Sequence, residues 1–273
     1  MKTIKIAKYL IGPGQPLAFI SGPCVIEDED HALFTAEALK KMFSRFGFSY
    51  IYKSSFDKAN RSSIHSYRGP GLEEGLKILE KIKKELDLPI LTDIHLPEQV
   101  KPAADVCDVI QIPAFLCRQT DLLVAAAKTK CPINVKKGQF MSPWDMKNVV
   151  DKITHANNEN ILLTDRGTSF GYNNLVSDMR AIPVMQSFGF PVCFDASHSI
   201  QLPGGLGSSS GGQREFIPVL AKAAVAAGCN ALFIESHPTP EKAKSDSASV
   251  MGFDQLENLL EELEKIYTAL QKK

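Results

Sequence analysis

"LEEGLKILEKIKKELDLPILTDIH" (residues 72–95) changes period part-way along its length. From Leu72 to Leu86 apolar residues recur every three or four positions, the spacing of one helix face. From Pro89 the pattern becomes a short apolar run that ends in Asp93 and His95. A run without in/out alternation suits a strand covered on both faces, as in a parallel sheet. The same change of period fills the chain on either side. Strand-like runs are "LAFISGPC" (17–24), "SYIYKSSF" (49–56), "PILTDIH" (89–95), "VIQIPAF" (109–115), "INVKKG" (133–138), "ILLTDRG" (161–167), "PVCFDASH" (191–198) and "ALFIESH" (231–237). Helical patterns lie between most of them, such as "REFIPVLAKAAVAAG" (214–228), and "FDQLENLLEELEKIYTALQ" (253–271) follows the last. Eight strands in 273 residues is the count of a (β/α)8 TIM barrel, read as one domain over 1–273. "TIKIAKYLIG" reads as a short strand or hairpin ahead of the repeat. The alternative, an open doubly wound sheet, announces itself by GxGxxG after its first strand, and "SGPCVIED" (21–28) lacks that pattern.

Composition narrows the function. Thirty-one basic residues balance 31 acidic ones, so no global field attracts nucleic acid or an anionic membrane, and a cationic site must be a local cluster. The N-terminal segment lacks the pattern of a secretory signal. No run approaches the roughly 18 apolar residues of a membrane span. Six cysteines lie scattered without a CxxC pair, which points to reduced thiols and a cytoplasmic address.

The eight runs share an asymmetry. Each starts apolar and ends in groups a buried strand should avoid: Cys24, Lys53, Asp93 with His95, Gln111, Lys136, Arg166, Asp195 with His198, and Glu235. In a barrel those ends converge on one mouth, where catalytic groups sit. Lys53, Lys136 and Arg166, with Lys58 and Arg61 in "FDKANRSS", form a cationic set suited to phosphates. They either pair internally with Asp93, Asp195 and Glu235 or are neutralised by ligand anions. "RSS" (61–63) offers a second phosphate handle, so the expected ligands are two phosphorylated molecules or one bisphosphate. Cys24 alone reads as a buried thiol. With His198, Glu235 and Asp246 from neighbouring strand ends it makes a mixed sulfur, nitrogen and oxygen set that suits a divalent first-row metal. "LPGGLGSSSGGQRE" (202–215) lacks the GK[ST] ending of a P-loop and reads as a mobile flap or a plain flexible loop, leading into a helix near Gly212–Gln213.

Long motifs then point to a family. "KSSFDKANRSSIHSYRGPGLEEGLKIL", "TDIHLPEQ", "QIPAFLCRQTDLL", "NVKKGQFMSPWDMKNVV", "DRGTSFGYNNLVSDMR", "FDASHSIQLPGG" and "FIESHPTPEKAKSD" resemble the 3-deoxy-D-manno-octulosonate 8-phosphate synthases, also called 2-dehydro-3-deoxyphosphooctonate aldolases. The likeness runs from about Phe19 to the last helix. It implies a homotetrameric barrel that condenses phosphoenolpyruvate with D-arabinose 5-phosphate on the route to the Kdo of lipopolysaccharide. It implies that Lys53, Lys58, Gln111, Ala114, Lys136 and Arg166 hold phosphoenolpyruvate. Asn60, Arg61 and Ser62 would hold arabinose 5-phosphate with Asp93 near its chain, and Phe115 and Arg118 would stand near a subunit interface. Lys58, Asp93 and His198 are the expected catalytic groups. The family has a metal-independent class with asparagine in place of Cys24; the cysteine makes this chain resemble the metal-dependent class, for which Mn, Fe, Zn, Co and Cd are all suitable ions. The rival within the resemblance is a 3-deoxy-D-arabino-heptulosonate 7-phosphate synthase using erythrose 4-phosphate, which typically carries a KPRTS-like segment where this chain has "KANRSS". A non-catalytic sugar-phosphate-binding barrel is the alternative of a different class.

Overall fold

The computed structural model describes residues 1–204 and 211–271. Its strands are β1 (Ala18–Gly22), β2 (Ser49–Lys53), β3 (Ile90–Asp93), β4 (Val109–Ile112), β5 (Ile133–Lys136), β6 (Ile161–Asp165), β7 (Val192–Asp195) and β8 (Ala231–His237). They pair in parallel and in sequence, and β8 returns to β1 with Ala231 opposite Ala18 and Glu235 opposite Gly22, closing the barrel. Each strand is followed by a helix: α1 (Glu29–Phe43), α2 (Leu72–Leu86), α3 (Val100–Val106), α4 (Thr120–Lys128), α5 (Met146–His155), α6 (Ala181–Gln186), α7 (Ile217–Ala226) and α8 (Phe253–Gln271). The expected (β/α)8 architecture is therefore present, and α2 and α8 coincide with the sequence reading. α7 starts later than the sequence pattern suggests. Residues Arg214–Phe216 form a 3-10 turn, and the α-helix begins at Ile217 with Pro218 in its first turn, where a missing N–H costs nothing.

Two-residue alternation decides which side chains enter the barrel. Ala18 and Ile20, Ile51, Leu91, Val109, Leu162, Cys193, Ala231 and Phe233 form one inner apolar cluster. Two positions on from the last inward member of most strands come Lys53, Asp93, Gln111, Glu235 and their equivalents Lys136, Arg166 and Asp195. The interior is thus apolar at the N-terminal end and charged at the C-terminal end. The leading segment forms an antiparallel hairpin, Ile4–Ile6 with Tyr9–Ile11. Its Ile4, Ile6 and Ile11 belong to the same inner cluster, so the hairpin stoppers the apolar end. The outer core lies between strands and helices, where Phe19, Tyr52 and Phe56 meet Leu79 and Leu39.

The flap expected over 202–215 falls partly outside the described residues, which omit 205–210. Its flanks pair as a short antiparallel ladder, Gln201–Leu202 with Gly211–Gly212.

Candidate active site

The C-terminal mouth opens into a cavity of about 510 Å³. Lys53, Lys136 and Arg166 reach it from β2, β5 and the end of β6; Gln111, Ala114 and Phe115 line it from the β4 side. Lys58, Asn60, Arg61 and Ser62 come from the long β2–α2 loop, and Asp93, His198, Glu235 and Asp246 complete the wall. Arg118 does not line the cavity; it is exposed beyond the 3-10 turn Ala114–Leu116. Cys24 is buried behind the wall.

Local backbone explains how Cys24 gets there. β1 ends at Gly22, with φ of 156°, and a Cβ at that position would lie 2.1 Å from the Lys53 carbonyl oxygen. Only glycine lets β1 approach β2 this closely. The chain then turns through Pro23 to Cys24, and α1 begins behind an Asp28 cap whose carboxylate accepts from the His31 N–H at 2.8 Å.

The cations are partly paired inside the protein. Lys53 Nζ donates to Glu235 Oε1 at 2.9 Å and to the Cys24 carbonyl at 3.1 Å. Lys136 Nζ sits 2.5 Å from Asp195 Oδ2 and 3.6 Å above the Phe233 ring centroid, a cation–π floor under the pocket. Internal pairing thus accounts for Lys53 and Lys136. Arg166 differs. Its Nη2 donates to Gln201 Oε1 at 2.9 Å, while Nη1 is buried without a hydrogen-bond partner among the described residues. Burial pulls the Arg166 pKa down, and burial does the same to Lys136 against the charges of Asp195 and Glu235. Buried cations of this kind favour an arriving anion. Burial also opposes the Lys58 ammonium, but the surrounding carboxylates Glu235, Asp93 and Asp246 hold its pKa above the ordinary value.

Beside the cations lies a group of metal-type donors. One atom each of Cys24, Glu235 and Asp246 lie within 4.8 Å of one another. His198 Nε2 stands 3.7 Å from Glu235 Oε2 and 3.8 Å from Asp246 Oδ2. The ring is aimed by Asp195, which pairs with Nδ1 at 2.8 Å and accepts the His198 backbone N–H. A carboxylate behind a histidine in this way holds the ring proton on Nδ1 and leaves the Nε2 lone pair free. Glu235 Oε2 is buried without a hydrogen-bond partner among the described residues, an orphaned acceptor facing the group. Burial, Asp246 and Glu235 all push the Cys24 thiol up, so the protein alone disfavours the thiolate. A cation at this position would reverse that balance. Of the four expected ligands, Cys24, Glu235 and Asp246 are gathered and their chemistry fits a divalent metal, whereas His198 borders the carboxylates but stands outside that 4.8 Å group.

Several contacts were not legible in sequence. Ser245 Oγ lies 2.8 Å from Cys24 Sγ and also meets Arg61, whose Nη1 donates to Asp246 Oδ1 at 3.2 Å. Gln201 bridges the two halves of the site, since its Nε2 donates to Asp246 Oδ2 at 3.2 Å while its Oε1 holds Arg166. Ser245 and Arg61 sit on loops and Gln201 on a two-residue ladder, all too short or irregular for a periodicity to mark them. Asp195 was read from sequence only as a possible partner for the strand-end cations, which it is for Lys136; its second task, aiming His198, was missed. A further donor group, Glu27, His31 and His237, also gathers within 4.8 Å. There the Thr239 N–H donates to His237 Nδ1 at 2.9 Å, which puts the ring proton on Nε2 and removes the lone pair a metal would need.

The DAHP synthetase I family profile matches residues 2–272. The chain belongs to the DAHP synthetase I family. Within it, curated relatives carry the narrower name "2-dehydro-3-deoxyphosphooctonate aldolase". One from Protochlamydia amoebophila (strain UWE25) is 61% identical over 272 residues, spanning 100% of this chain and 99% of the relative. Another from Geobacter sp. (strain M21) is 58% identical over 265 residues, 97% of each. A third, from Desulfotalea psychrophila, is 56% identical over 263 residues, 96% of this chain and 94% of the relative. The family resemblance read from the motifs is borne out.

Proposed function

We infer that this member of the DAHP synthetase I family is a 2-dehydro-3-deoxyphosphooctonate aldolase. It condenses phosphoenolpyruvate with D-arabinose 5-phosphate and water to give 3-deoxy-D-manno-octulosonate 8-phosphate and inorganic phosphate, in the synthesis of Kdo for lipopolysaccharide. The observation that carries the reading is one cavity lined both by the buried cations Lys136 and Arg166 and by the Asn60–Arg61–Ser62 segment.

In this assignment Lys136 and Arg166 hold the phosphate of phosphoenolpyruvate, and Lys53 and Lys58 lie near its carboxylate and reacting end. Gln111 and the Ala114 backbone frame the same molecule. Asn60, Arg61 and Ser62 hold the aldose phosphate, with Asp93 near its chain. C3 of phosphoenolpyruvate forms the new bond to the aldehyde carbon. Water adds at C2, and the resulting intermediate expels phosphate by cleavage of the C2–O bond. Lys58 donates to the oxygen that gains charge as the aldehyde is attacked. A divalent ion held by Cys24, His198, Glu235 and Asp246, with Mn, Fe, Zn, Co and Cd as suitable identities, would supply Lewis-acid polarisation of an oxygen. No lysine imine is needed, so borohydride added with substrates should trap no lysine adduct.

Phosphate release measured with each aldose tests the reading. Arabinose 5-phosphate should exceed erythrose 4-phosphate in kcat/KM by at least about tenfold. The reverse preference would assign the heptulosonate reaction, and no release with either would assign a sugar-phosphate-binding barrel. Chelation should abolish activity, divalent metal should restore it, and Cys24→Asn should lower bound metal by elemental analysis; full activity after chelation would remove the metal from the mechanism.

The chain is proposed to act as one domain in a cytoplasmic homotetramer. Support for self-association comes from the exposed aromatic rim of Phe115, Phe140, Trp144, Phe170 and Tyr172, with Arg118 nearby in sequence. No helix among the described residues is long and apolar enough to cross a membrane.

A further inference from the structure

We propose that Lys137, which does not line the cavity, is a positioning residue that ties the loop after β5 to the turn that carries Arg166 and holds both in their working geometry. Strand alternation sends Lys136 into the barrel mouth and its neighbour Lys137 to the opposite side. Lys137 is fully buried. Its Nζ donates to the carbonyl oxygens of Gly138 at 3.4 Å, Met141 at 3.3 Å and Gly167 at 3.1 Å, and to Thr168 Oγ1 at 3.0 Å. Asp165 Oδ1 lies 3.4 Å away. An ammonium in such a place costs several kcal/mol of lost hydration unless oxygen atoms surround it, and here they do.

The origin of those oxygens gives the cage its purpose. Gly138 and Met141 belong to the loop after β5, which brings Gln139 to the cavity wall. Asp165, Gly167 and Thr168 flank Arg166, whose buried Nη1 has no hydrogen-bond partner among the described residues. Gly167 has φ of 81°, so the backbone turns sharply just after Arg166. Lys137 grips both sides of that turn and ties it to the neighbouring loop. One further bond, from the Ser169 N–H to the Gln139 carbonyl at 2.8 Å, runs parallel to it. The aim of the Arg166 guanidinium therefore depends on an ammonium that never meets the substrate.

This inference rests on the assignment of Arg166 to the phosphate of phosphoenolpyruvate, and the test separates the two. Lys137→Met alone would strand the buried Asp165 carboxylate, so the variant of choice is Lys137→Met with Asp165→Asn. Thr168→Val, at an exposed residue, removes one tie without threatening the fold. Phosphoenolpyruvate binding is measured by calorimetry without aldose, alongside KM, kcat and Tm. The double variant should weaken phosphoenolpyruvate Kd and raise its KM by about tenfold or more with kcat within about threefold, and Thr168→Val should shift Kd by about two- to fivefold. Kd unchanged in the double variant, or in Thr168→Val should the double variant not fold, would overturn the role, even with a lowered Tm. Arg166→Ala is the control: if it too binds phosphoenolpyruvate normally, the phosphate assignment is what fails.

Discussion

Asp93 shows how one residue in the barrel mouth keeps its charge. It is 6% exposed, accepts from Ser55 Oγ, and lies 3.1 Å from His95 Nε2. Burial would raise its pKa, but the bond to His95 and the charges of Lys53 and Lys58 hold it well below the usual carboxylate range. The folded state therefore resists a proton that the unfolded chain accepts near pH 4. The stabilisation is present above that pH and is lost as pH falls towards the folded pKa. Asp93→Asn should lower unfolding free energy at pH 7 by about 1–3 kcal/mol, with the difference from the parent shrinking in acid. Urea titrations at pH 7 and pH 3 check this, and a gap that widens in acid would contradict it. Asp93, Lys53, Lys136 and Glu235 were legible because a two-residue period forces every strand end to point somewhere. Gln201 and Ser245 were not, because contacts between segments far apart in the chain depend on three-dimensional approach that no local pattern encodes.

At the scale of elements, strands and long helices were legible where the apolar period was sustained, as in α2 and α8. The start of α7 was misread because an apolar period continues through Arg214–Phe216, while the turn geometry there is tighter than an α-helix. The N-terminal segment was legible as a short strand or hairpin but not as a stopper, since its partners lie on strands far along the chain. Ile6 is fully buried in the inner cluster. Ile6→Ala should cost about 2–5 kcal/mol by emptying space that the closed barrel cannot refill. Activity per folded molecule should stay near the parent value, because the charged end of the barrel is remote from the change. Thermal unfolding with parallel kinetics tests both halves, and a loss of kcat without a loss of Tm would show that the plug shapes the site.

For the whole molecule, several large aromatic side chains stand exposed on the loops that follow β5 and β6. Phe140 and Trp144 stand on the loop after β5, and Phe170 and Tyr172 on the small hairpin Thr168–Ser169 with Leu175–Val176 after β6. Tyr172 is 98% exposed. In a self-associated form these rings would be covered by a second copy. Trp144→Glu with Phe170→Glu should lower the sedimenting mass while leaving the secondary structure intact; an unchanged mass would place the contact elsewhere. The blocked lower end of the barrel carries a last consequence for traffic. A vessel with a sealed base has a single doorway, so a guest seated at the bottom must arrive before its companion and leave after it. Phosphate set free at the floor of the proposed site would queue behind the sugar product, so the order of departure would reverse the order of entry.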